Sequence, residues 1–359
     1  AKGTELSPTV GGIVAQCYGA SLICLPVEVW SDLGHLDTAT QIRTRLIGAR
    51  EFNALTIDGH RGLITKKSRH VIKILQEINY YHKLPRPLSI YFPRLHDFSV
   101  GEETSYTMEF YSYRTLSEYF VFFNFPLSVW KKILGRLLAV HTEFSSYTSA
   151  PVAPQAVYDF YVGKLLMRME KIQKGSPIYA LVEADGIMVN GIYCHGWKHY
   201  LPQIQAAVTK LSEYCVPSVV HGDMCFSNIL YDPQTSLVKL IDPRGDFFAE
   251  GCYGDPRYDL AKLLHSFHGG YDYILQEMYE LTSHSDGSHE FRLFQSPEAA
   301  LLGSRLIEWM GGKLNYDMRN LLLLEALLFL SMLPLHKDDS VRQKALYIRG
   351  IQILHEVFA

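Results

Sequence analysis

Apolar and polar positions alternate over Phe52-Asn-Ala-Leu-Thr-Ile-Asp58 and again over Gly62-Leu-Ile-Thr-Lys66, with Gly59-His60-Arg61 between the runs. Period-two alternation broken by a glycine-containing link predicts a β-hairpin. From His70 to Leu84 the period changes: Val71, Ile74, Leu75, Ile78 and Tyr81 recur at helical spacing, and Pro85 closes the run. Two further strands are expected around Ser89–Leu95 and Ser105–Phe110. Strand, strand, helix, strand, strand describes a small β-rich lobe. Beyond Tyr113 the apolar spacing turns helical, over about 127–146, 154–174, 198–214, 257–268, 317–334 and 339–357. The second lobe therefore reads as mainly helical, with one compact β-rich stretch, Ser218–Gly245, between its helices. The expected division is an N-terminal segment 1–48, a small lobe 49–113 and a large lobe 114–359.

Length and composition fit two lobes. The chain has 359 residues, 48% hydrophobic and 20% charged, more than one core of ordinary size needs. Lys plus Arg (34) nearly balances Asp plus Glu (37), and no basic run interleaves with aromatics, so no nucleic-acid partner is expected. Cys17, Cys24, Cys194, Cys215, Cys225 and Cys252 are scattered without a C-x-x-C pair, the pattern of reduced thiols in a cytoplasmic protein. The apolar run Leu321–Pro334 is shorter than a membrane span and carries Glu325, so it reads as a buried helix.

The chemistry concentrates in Ser218–Gly245. His221-Gly-Asp223 follows an apolar strand, Asn228 comes five residues after Asp223, and a hairpin leads to Leu240-Ile-Asp242. Asp or Asn alone at such places would serve as turn residues. As an ordered set they match what phosphoryl transfer requires: a carboxylate to orient a hydroxyl, and hard oxygen ligands for Mg²⁺ on the phosphates. Asp223 fits the base, and Asn228 with Asp242 the metal ligands.

This stretch resembles the aminoglycoside phosphotransferase and choline kinase family, distant relatives of protein kinases. The resemblance implies a two-lobed α+β kinase-like fold that binds ATP and Mg²⁺ and phosphorylates a hydroxyl of a small molecule such as a sugar, amino sugar, polyol or choline-like alcohol. It implies Asp223 as catalytic base, Asn228 and Asp242 as metal ligands, and Asp259, within Gly254-Asp-Pro-Arg-Tyr-Asp-Leu-Ala261, as a brace for the catalytic loop. In the small lobe such a fold wants a strand Lys paired with a helix Glu. Lys66 and Glu77 fill those places; Lys67 is the rival, and Lys66 is preferred because it shares a face with Ile64. Met108-Glu-Phe-Tyr111 resembles the inter-lobe hinge, with backbone groups of Glu109 and Tyr111 expected to meet adenine and Met108 packed nearby. Two departures stand out: Asp242 is followed by Pro-Arg-Gly, and the first hairpin offers only Gly59 and Gly62 to the phosphates. Arg244 suits either a phosphate contact or a carboxylate pair. His141 reads as a satisfied core residue, and Tyr253, Tyr258 and His268–Tyr273 as either acceptor-pocket wall or packing.

Glu5-Leu-Ser7 and Leu25–Asp37, with Trp30, Asp32, Gly34 and His35, resemble the closing part of a sugar nucleotidyltransferase domain; an ordinary N-terminal extension is the alternative. The first residue is Ala, which reads as a processed or excerpted form. The expectation for a fusion is a role in bacterial surface-polysaccharide or lipid-headgroup synthesis. The rival functions are a non-catalytic nucleotide-binding module and the C-terminal part of a nucleotidyltransferase-kinase.

Overall fold

Strands β1 (Asn53–Asp58) and β2 (Leu63–Ser68) form the expected hairpin, with Thr56 opposite Thr65. In this computed structural model residues 53–101, 104–248 and 251–359 are described, and the segment likened to a nucleotidyltransferase tail lies outside them. Helix α1 (Val71–Lys83) follows, then β3 (Leu95–Ser99) and β4 (Thr104–Glu109) complete an antiparallel sheet in the order β1-β2-β4-β3. Strand β4 alternates so that Thr104, Tyr106 and Met108 point inward. Tyr106 and Met108 pack with Ile74 and Ile78 of α1, and Ile64 and Leu95 lean on them. That core is small, so the lobe also depends on contacts across the cleft.

One expected strand is displaced. Residues Arg86–Tyr91 form a 3₁₀ helix, and pairing with β4 starts only at Leu95, through a bulge between Leu95 and Asp97. Ser89–Phe92 has a strand's apolar content, but Pro87 and Pro93 flank it and supply no amide hydrogen to a ladder.

The large lobe opens with β5 (Arg114–Thr115) and α2 (Leu116–Phe122), the latter capped reciprocally by Thr115 and Glu118. Helices α3 (Leu127–Ser145) and α4 (Pro154–Tyr158) follow. The single helix expected over 154–174 is instead interrupted by a π turn at Asp159–Gly163 and resumes as α5 (Lys164–Met169). A hairpin of β6 (Gly186–Val189) and β7 (Ile192–His195) precedes α6 (Trp197–Glu213) and the short β8 (Ser218–Val219). Then come β9 (Ile229–Asp232), β10 (Leu237–Leu240), β11 (Tyr253–Gly254) and α7 (Pro256–Phe267).

Besides the small sheets β10-β9-β5 and β11-β8, the strands β12 (Tyr279–Ser283) and β13 (His289–Leu293) join the β6–β7 hairpin in a four-stranded sheet, ordered β12-β13-β6-β7. The sequence reading placed a single β-rich stretch in this lobe, so this sheet is a correction. Its turn chemistry is visible afterwards: Asn190 and Gly191 both have positive φ (51° and 78°), as a two-residue hairpin turn requires.

Helix α8 (Met318–Ser331) is buried along most of its length because α5, α7 and α9 (Ser340–Phe358) pack around it. This explains the all-round apolar run read from the sequence. Among the described residues no helix is long and apolar enough to cross a membrane. Each buried leucine of α8 contributes about 1.5–3 kcal/mol, so the large lobe is a firm floor for the loops that rise from it.

Candidate active site

The loop after β8 carries His221-Gly222-Asp223. Gly222 has φ +77°, and a Cβ there would lie 1.9 Å from Phe247 Cζ, so only glycine fits. The amides of His221 and Gly222 donate to the two carboxylate oxygens of Asp259 at 2.6 and 2.7 Å. Asp259, on the first turn of α7, thus braces the loop as read from the sequence. Burial pushes its carboxyl up to about 7, against the pull of those two amides. The His221 ring lies flat on Phe92, 5.9 Å between centroids, with Nε2 on the Ile241 carbonyl (3.0 Å) and Nδ1 accepting from the Asp223 amide (3.2 Å). Burial holds this imidazole neutral, its pKa pushed down to about 4. His221 is therefore a spacer between the two loops.

Asp223 receives the Lys262 ammonium on Oδ1 at 2.8 Å and the Asn228 amide nitrogen on Oδ2 at 3.0 Å. Burial alone would raise its pKa, but Lys262 outweighs it and holds the carboxyl well below the usual range. The Asn228 nitrogen also donates to the Asp223 carbonyl at 2.9 Å, which fixes the amide so that its oxygen is the end turned away from Asp223.

On the small-lobe side Lys66 is buried and Lys67 exposed, which separates the two rivals. Lys66 Nζ donates to Glu77 Oε2 at 2.8 Å and to Asp242 Oδ1 at 3.0 Å. Tyr106 donates its hydroxyl to the same Glu77 oxygen at 2.8 Å. Burial works against the Lys66 charge, yet Asp242 and Glu77 together raise its pKa. Asp242 itself has φ +55°, a left-handed conformation that costs a non-glycine residue about 1–2 kcal/mol. Close packing three residues on holds this strain in place: a Cβ at Gly245 would meet the Gln76 carbonyl at 2.1 Å, so the loop lies directly on α1 beside Glu77.

The hinge and the first hairpin are narrower than the sequence suggested. The amides of Glu109 and Phe110 donate to the Arg94 and Gly62 carbonyls, and the Glu109 carboxylate accepts from the Arg94 amide and the Tyr111 hydroxyl. Those groups hold the sheet edge together, so the Glu109 and Phe110 amides are already engaged within the small lobe. Met108 is buried as expected and receives the Tyr81 hydroxyl on sulfur. In the hairpin, Asp58 Oδ1 takes the amides of His60 and Arg61, both at 3.1 Å. Those two amides are therefore engaged within the hairpin itself.

The sequence reading left Arg244 and Tyr258 open and missed Lys164 and Lys262, which join them near Asp223. Arg244, left open between a phosphate and a carboxylate, donates Nε to the Asp246 carbonyl at 2.8 Å and Nη1 to the Tyr258 hydroxyl at 3.4 Å, with Asp246 Oδ2 3.8 Å away. Lys164 sits over the rings of Phe160 (5.0 Å) and Tyr258 (5.7 Å). Tyr258 lies among Lys164, Lys262 and Arg244, which together outweigh burial and pull its phenol down to about 8. Elsewhere the quieter readings hold. His141 bonds the Pro256 carbonyl through Nε2, and Tyr273 donates to the Phe120 carbonyl deep in the core.

No family model and no curated protein matches this chain. Solved structures do resemble it. An aminoglycoside-3'-phosphotransferase of type VIII is 16% identical over 81% of this chain and 98% of its own, with a TM-score of 0.41. An aminoglycoside phosphotransferase of Streptomyces rimosus, solved with ADP and streptomycin, is 13% identical over 83% of this chain and 99% of its own (TM-score 0.44). A choline kinase of Cryptosporidium parvum is 10% identical over 90% of this chain and 95% of its own (TM-score 0.41).

Proposed function

We propose that the chain is an ATP- and Mg²⁺-dependent phosphotransferase that acts on a hydroxyl of a small molecule. The observation that carries this reading is convergence: Lys66 from β2 and Glu77 from α1 join Asp242, whose loop is bonded to the Asp223–Asn228 loop through His221, Asn228 and Ile241, although these residues are far apart in sequence. Lys66, held by Glu77, positions the phosphates. The donor set suits Mg²⁺, since Asp242 offers a half-exposed carboxylate and Asn228 an amide oxygen free of Asp223, both hard ligands. Among the described residues no cluster of three or more His, Cys, Asp or Glu could hold a metal, and a Mg²⁺ that shares its shell with phosphates and water needs none. When bound, the ion would offset charge on the phosphate oxygens.

Asp223 orients the acceptor hydroxyl. In the transfer, the acceptor oxygen forms a bond to the γ-phosphorus as the bond to the β–γ bridging oxygen breaks, ADP leaves, and the hydroxyl proton passes to Asp223. Lys262 makes Asp223 a weak base. That suits a loose transition state, in which the proton moves late and positioning does most of the work. The test is ADP release by the purified protein with MgATP and a panel of hydroxylated acceptors. Acceptor-dependent release that disappears in Asp223→Asn supports the reading; release unaffected by that substitution rejects it. A place in surface-polysaccharide or lipid-headgroup synthesis remains part of the proposal only through the residues before 49, and a chain begun near Ala49 that keeps its activity would separate the two.

A further inference from the structure

The cations beyond Asp223 come from three unrelated segments: Lys164 from the start of α5, Arg244 from the loop after Asp242, and Lys262 from α7. Their rings are shared. Phe160 lies 5.2 Å from Tyr258 and 5.9 Å from Phe247, and the Arg244 guanidinium stands 5.3 Å from Phe160 and 5.5 Å from Phe247. Phe160 lies in the π turn, and Lys164, four residues on at the start of α5, shares its helix face and sets its ammonium over the Phe160 and Tyr258 rings.

The charges on this wall do not balance. Lys262 is matched by Asp223, and Arg244 is tethered to the largely exposed Asp246. Lys164 has no carboxylate within ion-pair distance among the described residues, and its strongest charged neighbours besides Tyr258 are Arg244, Arg168 and Lys262. Burial with these like charges pushes its ammonium down to about 8. A half-buried cation facing other cations destabilises the fold unless an anion completes it. Lys66, bound to Glu77 and Asp242, is the cation already assigned to the nucleotide phosphates.

Resting on the phosphotransferase reading, we propose that the acceptor is an alcohol carrying its own anionic group, a phosphate or a carboxylate, which Lys164 and Arg244 bind beside Asp223 against the Phe160–Tyr258 wall. Lys164 is then a specificity-determining residue. A choline-like or amino-sugar acceptor would meet the same cations as repulsion.

The experiment pairs turnover with binding. ADP release is measured for sugar phosphates, polyol phosphates and hydroxy acids, each beside its neutral parent alcohol and a cationic amino alcohol. In parallel, calorimetry with saturating MgADP tracks inorganic phosphate and the anionic alcohols on the wild type and on Lys164→Met. The expected result is kcat/KM at least tenfold higher for an anionic acceptor than for its neutral parent, a rise in acceptor KM of tenfold or more in Lys164→Met, and a matching loss of anion affinity. The Tm of Lys164→Met should be unchanged or higher, since a crowded cation is removed; a purely structural lysine would lower it. Phosphate and carboxylate arms show which group is read. Preference for neutral or cationic acceptors, or anion affinity unmoved by Lys164→Met, overturns the proposal. If no acceptor releases ADP while Lys164-dependent anion binding persists, the phosphotransferase reading fails and the anion site stands; if both are missing, both fail.

Discussion

The two sides of the Asp223–Asp242 cleft treat charge in opposite ways. On the small-lobe side, Lys66 is buried between Glu77 and Asp242, and Glu77 takes a second bond from Tyr106. Each charge there has a partner. On the large-lobe side, Lys164, Arg244 and Lys262 gather around Tyr258 with fewer carboxylates than cations. A satisfied ion pair fixes geometry and can wait for its ligand at little cost, whereas an unsatisfied one marks where a ligand must supply the missing charge. The first side reads as a preset nucleotide grip and the second as a site that selects its acceptor.

The largest effect should come from the residue between the two sides. Asp223→Asn is expected to lower kcat by about 10³-fold, within the 10²–10⁴ that a positioned base supplies, while MgATP affinity measured by calorimetry stays near the wild-type value. Loss of nucleotide affinity in that variant would move Asp223 to the nucleotide side of the comparison. Asp242→Ala should instead weaken MgATP binding by roughly tenfold to a hundredfold, on the order of 1.4–2.8 kcal/mol. An unchanged affinity with Mg²⁺ present would remove Asp242 from the metal assignment.

Most of the nucleotide side was legible in the sequence because its residues sit in regular elements with local signals. His221-Gly-Asp223 and Asp242 come after strands, Asn228 directly precedes one, and Glu77 lies on the buried face of a helix whose period was plain. The proposed acceptor side was legible only in Tyr258 and Arg244, each with its role left open. Lys164 and Lys262 are ordinary residues on two separate helices, and no local pattern announces that they meet at Tyr258. Lys262 did leave a trace: it lies at i+3 from Asp259 on α7, the spacing that puts two side chains on one helix face. The Asn190-Gly191 turn was a missed signal of another kind, a strong hairpin marker between short apolar runs that were read as part of a helical lobe.

A smaller effect sharpens the nucleotide side. Lys66→Ala should raise the KM for ATP about tenfold, as expected when a buried charge-assisted contact worth about 1.5–3 kcal/mol is lost. Lys67→Ala should change it less than about twofold, since an exposed lysine contributes little. Equal effects would mean that the strand face does not decide the contact. Gly245→Ala offers a second handle, because the added methyl must push the Asp242 loop off the Gln76 carbonyl; its KM for ATP should rise along with that of Lys66→Ala.

The last predicted effect falls on stability and not on turnover, and tests whether a paired buried charge serves stability alone. His268 Nδ1 bonds Glu325 Oε2 at 2.8 Å, and Nε2 lies 3.6 Å from Glu356, with Arg349 also acting on it. Burial disfavours the imidazolium, but Glu325 outweighs burial and raises the His268 pKa from 6.5 to about 9. The folded state therefore holds a proton that the unfolded state releases between those values. Its stabilisation is complete below pH 6.5 and is lost as pH rises through 9. Between pH 6.5 and 8 the loss should be about 1.5 kcal/mol, a fall in Tm of a few degrees. In Glu325→Gln the imidazole loses its main counter-charge, so Tm should start lower at pH 6.5 and decline less steeply towards pH 8. Parallel Tm profiles for the two proteins would show that the His268–Glu325 pair does not carry the proton. Acceptor preference should be the same in both proteins, because this pair already contains its own counter-charge, which the Lys164 wall lacks.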